Sequence, residues 1–156
     1  MSQQLLTEWE RRLRINVNAH NLAERRFSWL DNVMGAVALA TIVLLGTVAT
    51  SADLTGGWTT WLVIGVTSVG ALCSAFQTQL RLGPTAMAHQ AAARQYSMLR
   101  RGVEEAKQLP ADKMAERVTQ LREQWDNLAA NVPNVPSRLR ARAKEQGAAT
   151  SGGPTP

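Results

Sequence analysis

The chain has 156 residues and a formal net charge of +5, with 45% apolar residues and one cysteine, Cys73. This length suits one domain and leaves little room for an enzyme core of the usual size, and a single cysteine excludes a disulfide within the chain. The mean hydropathy of -0.17 is typical of a soluble protein, but it hides an uneven distribution of charge.

The first predicted element is an amphipathic helix over residues 3–32. Side chains suited to a buried face recur at alternating steps of three and four, the spacing of a helix that packs in coiled-coil fashion. They are Leu6, Trp9, Leu13, Asn16, His20, Ala23, Phe27 and Leu30. Because no Gly or Pro lies between Leu5 and Met34, we expect this helix to continue into the next segment.

Two uncharged tracts follow, and only Asp53 separates them. A helix needs about 20 apolar residues to cross a bilayer core of roughly 30 Å. Residues 33–52 and 58–80 each supply such a length, and the Leu-Thr-Gly-Gly sequence at 54–57 suits a turn. The sequence therefore predicts two closely spaced transmembrane helices.

Two other interpretations of these tracts are less favoured. A buried hairpin in a soluble protein would need more surrounding chain than remains. A signal peptide would explain the small residues at 49–52, but it has a short basic start and an apolar segment of only about 7–15 residues. Here a long segment of mixed charge precedes a full-length span, and a second span follows at once.

The distribution of Lys and Arg predicts the orientation. Residues 1–32 hold five Arg and four acids, residues 81–156 hold twelve Lys or Arg and seven acids, and the link holds neither Lys nor Arg. The positive-inside rule then places both termini in the cytoplasm. The basic excess favours attraction to the anionic inner leaflet of the lipid bilayer. Nucleic acid is not an expected partner, because no recognition motif supports it.

Polar residues of the second predicted span share nearly one side of the helix, and we call them the polar stripe. They are Thr60, Thr67, Ser74 and Arg81, at steps of seven, with Gln77 and Thr78 beside them. Small hydroxyl residues in membrane helices more often serve helix packing than contact with water. An amide in hydrocarbon, by contrast, needs a partner or a wet cavity. The stripe is thus a candidate face for packing or for lining a pore.

After a break at residues 81–84, two more amphipathic helices are predicted over 84–109 and 112–131. Their stripes are His89, Ala92, Tyr96, Leu99, Val103 and Ala106 in the first, and Met114, Val118, Leu121, Trp125 and Leu128 in the second. Pro110 separates them and Asp112 can cap the second, so we expect an antiparallel hairpin.

The predicted fold is an all-α membrane protein. A two-helix transmembrane hairpin is joined to a cytoplasmic bundle made by the long N-terminal helix and the C-terminal helical hairpin. This domain would occupy residues 1–136. Residues 137–156, basic and then rich in Gly, Ala, Ser, Thr and Pro, are expected to form a disordered tail.

His20, His89 and Tyr96 occupy stripe positions and form the candidate polar core of the bundle. The simpler interpretation is that each histidine hydrogen-bonds within the bundle and fixes its packing, and the alternative is a pH- or ligand-sensitive switch. A metal site would need further ligands, which the sequence does not offer. With no phosphate loop, nucleophile elbow or Cys/His cluster, we expect neither a cofactor nor enzyme activity.

The two spans, followed by SAFQTQLRLGPTAMAHQAAARQYSMLRRGVEEA and then LREQWDNLAANVPNVP, resemble the SLATT domain. That name denotes the SMODS- and SLOG-associating two-transmembrane effector domain of bacteria. The resemblance covers roughly residues 8–136. It is carried by Gln77, His89, Ala92, Tyr96, Leu99, Arg100, Trp125, Pro133 and Pro136, and His20 also fits.

The resemblance implies a membrane effector of a bacterial conflict or nucleotide-signalling system, such as antiviral defence. Such effectors are proposed to form homo-oligomeric pores in the inner membrane. We expect no sensing module beyond the helical hairpin, so the trigger that the resemblance implies is a separate nucleotide-sensing or nucleotide-producing partner. The alternative function is a non-conducting membrane anchor or scaffold that recruits a cytoplasmic partner through its bundle.

Overall fold

The computed structural model describes residues 3–51 and 57–151, and its elements there are all α-helices. They are α1 (Gln3–Ser51), α2 (Gly57–Leu80), α3 (Leu82–Ala106), α4 (Ala111–Asn131) and α5 (Ser137–Ser151). The predicted all-helical class is confirmed for this part of the chain. The predicted link around Asp53 lies outside the described residues.

The described residues fall into two compact units. Unit 1 comprises the chain up to Arg25 and again from Thr85 onward, and unit 2 comprises Arg26–Pro84. The helix α1 is continuous, as the absence of Gly and Pro predicts, and contributes residues to both units.

The core of unit 1 is built from the three predicted stripes. Its fully buried members are Leu6, Leu13, Tyr96, Leu99, Val103, Ala106, Val118 and Leu121. Trp9, Met114, Trp125 and Leu128 pack against them and are partly buried. The step of three and four thus identifies the inward face of each helix, because side chains at that spacing share one side.

Long-range contacts fix the directions of the helices in unit 1. Lys107, immediately after α3, donates to the Glu10 carboxylate on α1 at 2.6 Å. His20, later than Glu10 on α1, meets His89, which lies earlier in the chain than Lys107. The two helices are therefore antiparallel. The rings of Trp9 on α1 and Trp125 on α4 meet edge to face, with centroids 5.5 Å apart.

The connection between α3 and α4 turns at Pro110. Its carbonyl accepts hydrogen bonds from the backbone N–H groups of Lys113 (3.1 Å) and Met114 (3.0 Å), so Pro110 occupies the N-cap position. The predicted capping role of Asp112 is therefore wrong. Asp112 lies two residues after the N-cap, in the first turn of α4, where its negative charge still interacts favourably with the positive end of the helix dipole.

The expectation of a disordered tail is wrong for residues 137–151, which form α5. The helix α4 ends before Val132, which is extended (φ -89, ψ 150) because a proline follows it. The carbonyl of Pro136 then accepts from the N–H groups of Leu139 and Arg140 and starts α5. Leu139 and Ala143, one turn apart, are buried and attach α5 to unit 1.

Unit 2 is a hairpin in which the second part of α1 packs against α2. A Cβ at Gly70 would lie 2.5 Å from Thr41 Cγ2, so the helix backbones approach closely there. Near the other end, Gln77 bonds to Asp31. Since residue numbers rise on one helix as they fall on the other, the two helices are antiparallel.

The surface of unit 2 is apolar. Within residues 3–51 and 57–151, two helices are long and apolar enough to cross a membrane, and only 6% of the most apolar stretch of each is buried. A core helix of a soluble protein would be mostly buried. The exposed large apolar residues include Leu39, Ile42, Val43, Leu44, Ile64, Val69, Leu72 and Phe76.

The predicted break after the second span is present at Arg81. This residue has a φ of 46°, which lies in the left-handed region that disfavours a side chain with a Cβ. The helix α3 begins at the next residue, and Pro84 lies in its first turn, where its missing N–H is not needed.

Candidate functional site

A buried pair of histidines lies at the centre of unit 1. The Nδ1 atoms of His20 on α1 and His89 on α3 are 3.0 Å apart, and the side chains are 4% and 1% exposed. One ring therefore donates its Nδ1–H to the Nδ1 of the other. The two histidines thus share one interior, as their stripe positions predict.

Tyr96 completes this group, which we call the histidine cluster (His20, His89 and Tyr96). Its ring stacks on that of His20, with centroids 5.4 Å apart and an angle of 30° between the planes. Tyr96 is 4% exposed and belongs to the apolar core. The cluster therefore joins the core to the polar histidine pair.

The electrostatics of the cluster keep both imidazoles neutral near pH 7. Burial, together with the smaller effects of the His89 and Arg140 charges, lowers the pKa of His20 from 6.5 to about 4. Burial also lowers the pKa of His89. Burial raises the pKa of Tyr96, and the nearby Arg140 opposes that rise.

A cavity of about 370 Å³ adjoins the cluster. His20 and Tyr96 line one side of it, and Trp125, Arg140 and Lys144 lie among the residues that complete it. It therefore lies within unit 1, between the histidine cluster and the helices α4 and α5. Ligand pockets in proteins commonly have volumes from about 300 to 1,000 Å³.

No cluster of three or more metal-ligating side chains occurs among residues 3–51 and 57–151. The two histidines already use their Nδ1 atoms to bond each other. What the cluster offers chemically is a neutral, buried pair whose shared bond depends on protonation. Its role as a switch stays a prediction.

The polar stripe is not uniform in unit 2. Thr60, Thr67, Ser74, Thr78 and Arg81 are exposed, whereas Gln77 is half-buried. The face of α2 that packs on α1 lies elsewhere and consists of Val63, Val66, Gly70, Cys73 and Gln77. The hydroxyl members of the stripe thus do not pack within the hairpin.

Gln77 has a specific partner in the hairpin. Its Nε2 donates to the Asp31 carbonyl oxygen at 3.2 Å and to the Asp31 carboxylate at 3.0 Å. A Cβ at Gly35 would lie 3.5 Å from that Nε2, an ordinary van der Waals distance, so the amide packs beside Gly35. The partner that an amide requires in an apolar surrounding is therefore supplied by α1.

Sequence reasoning missed Arg140, Lys144 and Asp31. The first two lie in the segment expected to be disordered, so they could not be placed beside His20. Asp31 was counted only as a charge flanking the first span. The available signal was the position of this acid at the very edge of the first apolar tract, where a carboxylate needs a polar partner.

Comparisons of this chain with protein-family models, curated proteins and solved structures found no match. The function is therefore argued from the residues and their geometry.

Proposed function

We propose that this protein is a SLATT-like membrane effector that oligomerises and forms a pore in a bacterial inner membrane. The hairpin of unit 2 would span the bilayer, with both termini in the cytoplasm. A separate partner, of the nucleotide-sensing or nucleotide-producing kind, would supply the trigger.

The insertion of unit 2 is supported by its exposed apolar side chains. Leu39, Ile42 and Leu72 are 63%, 67% and 58% exposed in the hairpin. Monomeric soluble proteins rarely expose apolar patches larger than a few hundred Å², since each Å² in water costs about 25 cal/mol. In lipid this cost disappears. Trp58 and Trp61, 72% and 75% exposed near the start of α2, suit a membrane interface.

The observation that carries the pore proposal is the outward direction of the polar stripe. At 3.6 residues per turn, Thr60, Thr67, Ser74 and Thr78 lie within about 40° of one another. All four are exposed, and the packed face of α2 is centred about a quarter of a turn away. A hydroxyl-lined face outside the hairpin suits contact with other copies around a water-filled path.

One observation favours the alternative of a non-conducting anchor. Thr67 donates its hydroxyl to the Val63 carbonyl at 2.6 Å, and Thr78 donates to the Ser74 carbonyl at 2.9 Å. Hydroxyls that bond to their own helix do not require water. The stripe could then pack against another helix without conducting, while unit 1 recruits a partner.

Membrane potential separates these two functions. The protein is expressed in bacteria with its native trigger, and a voltage-sensitive dye reports the potential. A pore depolarises the cells at the onset of growth arrest. Growth arrest without a change in membrane potential would contradict the pore proposal and favour the non-conducting anchor.

A pair of substitutions tests whether the polar stripe lines the path. Replacing Thr67 and Ser74 with Leu should abolish depolarisation while membrane insertion is unchanged. The matched control is Ser68→Leu, because Ser68 is an exposed hydroxyl on the same helix that lies about 100° from Thr67. Conductance that survives in the double variant, or disappears equally in the control, would exclude this face from the path.

A further inference from the structure

The cavity beside the histidine cluster has a basic lining. Arg12, Arg140 and Lys144 border it, and among residues 3–51 and 57–151 no Asp or Glu does. Arg12 already bonds to Glu8 through its Nε at 2.9 Å. Arg140 and Lys144, by contrast, form no ion pair with any acid in the part of the chain that the structure describes. Two positive charges thus face a space that holds no countercharge.

The helix α5 directs two of its four clustered basic residues to this cavity. Arg140 and Lys144 are four residues apart and therefore share one side of the helix. Arg138 and Arg142 are also four apart, but neither lines the cavity. The charge is therefore directed at the cavity by the register of α5, which the buried Leu139 and Ala143 fix.

The remaining lining combines ring surfaces with uncharged polar groups. Trp125 and Tyr96 supply aromatic surface, and Asn16 and Asn134 supply amides. His20 borders the cavity with its Nδ1 engaged by His89. Flat rings stack on aromatic side chains, and Arg guanidinium groups match the oxygens of phosphate.

We infer that this cavity is a binding site for a small organic phosphate that carries a flat ring. Arg140 and Lys144 bind the phosphate, while Trp125 and Tyr96 contact the ring. The volume of about 370 Å³ suits one such molecule. The inference concerns unit 1 alone and stands whether or not the hairpin of unit 2 conducts.

The test is a titration of the purified full chain in detergent micelles. Adenosine 5′-monophosphate is the probe, because it combines a phosphate with a flat ring. Intrinsic tryptophan fluorescence, to which Trp125 in the cavity lining contributes, reports binding, and the thermal midpoint provides a second readout. We expect adenosine, which lacks the phosphate, and inorganic phosphate, which lacks the ring, each to bind at least tenfold more weakly.

The basic residues of α5 provide matched variants. Arg140→Gln with Lys144→Gln should weaken binding of adenosine 5′-monophosphate at least tenfold, since hydrogen bonds to charged groups are the strong ones. Arg138→Gln with Arg142→Gln removes the same charge from the same helix and should leave binding unchanged. All four residues are exposed, so both variants should keep the thermal midpoint of the unliganded protein.

Three outcomes would overturn the inference. One is equal binding of adenosine and its monophosphate, which would leave the charges without a role. Another is equally weakened binding of adenosine 5′-monophosphate in both double variants, which would indicate general electrostatic attraction to the basic helix α5. The third is binding to phosphatidylglycerol vesicles that the monophosphate does not displace, which would make the basic residues a contact for lipid headgroups.

Discussion

The shared proton of His20 and His89 sets how unit 1 responds to pH. Their bond joins two Nδ1 atoms 3.0 Å apart, so one ring must offer a lone pair to the other. If both rings were protonated, two Nδ1–H groups would face each other in a buried site. Arg140 adds positive charge near His20 and disfavours protonation further. The pair is therefore stable only while at least one ring is neutral.

The first prediction is a loss of stability in mild acid. The pKa of His20 is about 4 in the folded protein and 6.5 as its ordinary value, so the unfolded chain binds more protons between these values. The stabilisation is complete above pH 6.5 and is lost as the pH falls toward 4. We expect the thermal midpoint to fall across this range. His20→Asn keeps a hydrogen-bonding group near the Nδ1 position. This variant should reduce the dependence of the thermal midpoint on pH.

The ion pair of Glu10 and Lys107 is the control for that profile. The hydrogen bond from Lys107 lowers the pKa of Glu10 below 4.5. The stability that this carboxylate contributes is present above pH 4.5 and is lost only at lower pH. Glu10→Gln should therefore leave the slope between pH 6.5 and 5 intact. An unchanged slope in His20→Asn would show that His20 does not govern this range.

At the scale of single elements, the amphipathic helices were predictable and α5 was not. Each of the first three stripes repeats over at least four turns, so the inward side is clear from the sequence. Among residues 137–147 of α5, only Leu139 and Ala143 are buried, and four basic residues lie between positions 138 and 144. Two apolar residues one turn apart are too weak a sequence pattern to distinguish a helix that packs on the bundle from a tail in solvent. The basic side of the cavity was therefore unpredictable too.

The second prediction concerns the docking of α5. Leu139 is 8% exposed, and Leu139→Ala should cost about 2–3 kcal/mol by removing buried methyl groups. We expect α5 to detach and trypsin to cleave at its four basic residues. Ala141→Ser, at an exposed position of the same helix, should stay resistant. Equal resistance of both variants would show that Leu139 does not hold α5 in place.

The hairpin of unit 2 shows a different limit of sequence reasoning. Both tracts carry apolar residues on every side, so periodicity does not mark the packed face. Ala71 and Ala75 have the spacing of small residues at a helix contact, yet both are exposed. The close approach occurs instead at Gly70 against Thr41. Contact between two such helices is decided by the shape of small residues, which no hydropathy pattern displays.

The third prediction tests that approach. Gly70→Ala places a Cβ within 2.5 Å of Thr41 Cγ2 and 2.9 Å of Thr41 Cβ. Overpacking of this kind costs about 1–3 kcal/mol, so the thermal midpoint in detergent should fall. Gly65→Ala on the same helix, where a Cβ meets nothing within 4 Å, should not lower it. Thr41→Ala should restore part of the loss, and an additive effect of the two changes would argue against their contact.

At the scale of the whole molecule, the mean hydropathy of -0.17 conceals two units that differ in where their apolar residues lie. Unit 1 buries its apolar stripes and exposes charge, whereas unit 2 exposes its apolar residues. The continuous α1 contributes to both units, so no linker separates the amphipathic pattern from the apolar tract. This segregation was predictable from charge position alone, because Lys, Arg, Asp and Glu are missing from each tract.

The fourth prediction follows from the proposed orientation. In a Cys73→Ser background, Trp58→Cys places a thiol near the start of α2, and Glu123→Cys places one on an exposed side of α4. A membrane-impermeant maleimide should label residue 58 in intact cells and residue 123 only after permeabilisation. The reason is the excess of Lys and Arg on both flanks of the spans, which the positive-inside rule assigns to the cytoplasm. Labelling of residue 123 in intact cells would reverse the orientation and place unit 1, with its basic cavity, outside the reach of a cytoplasmic ligand.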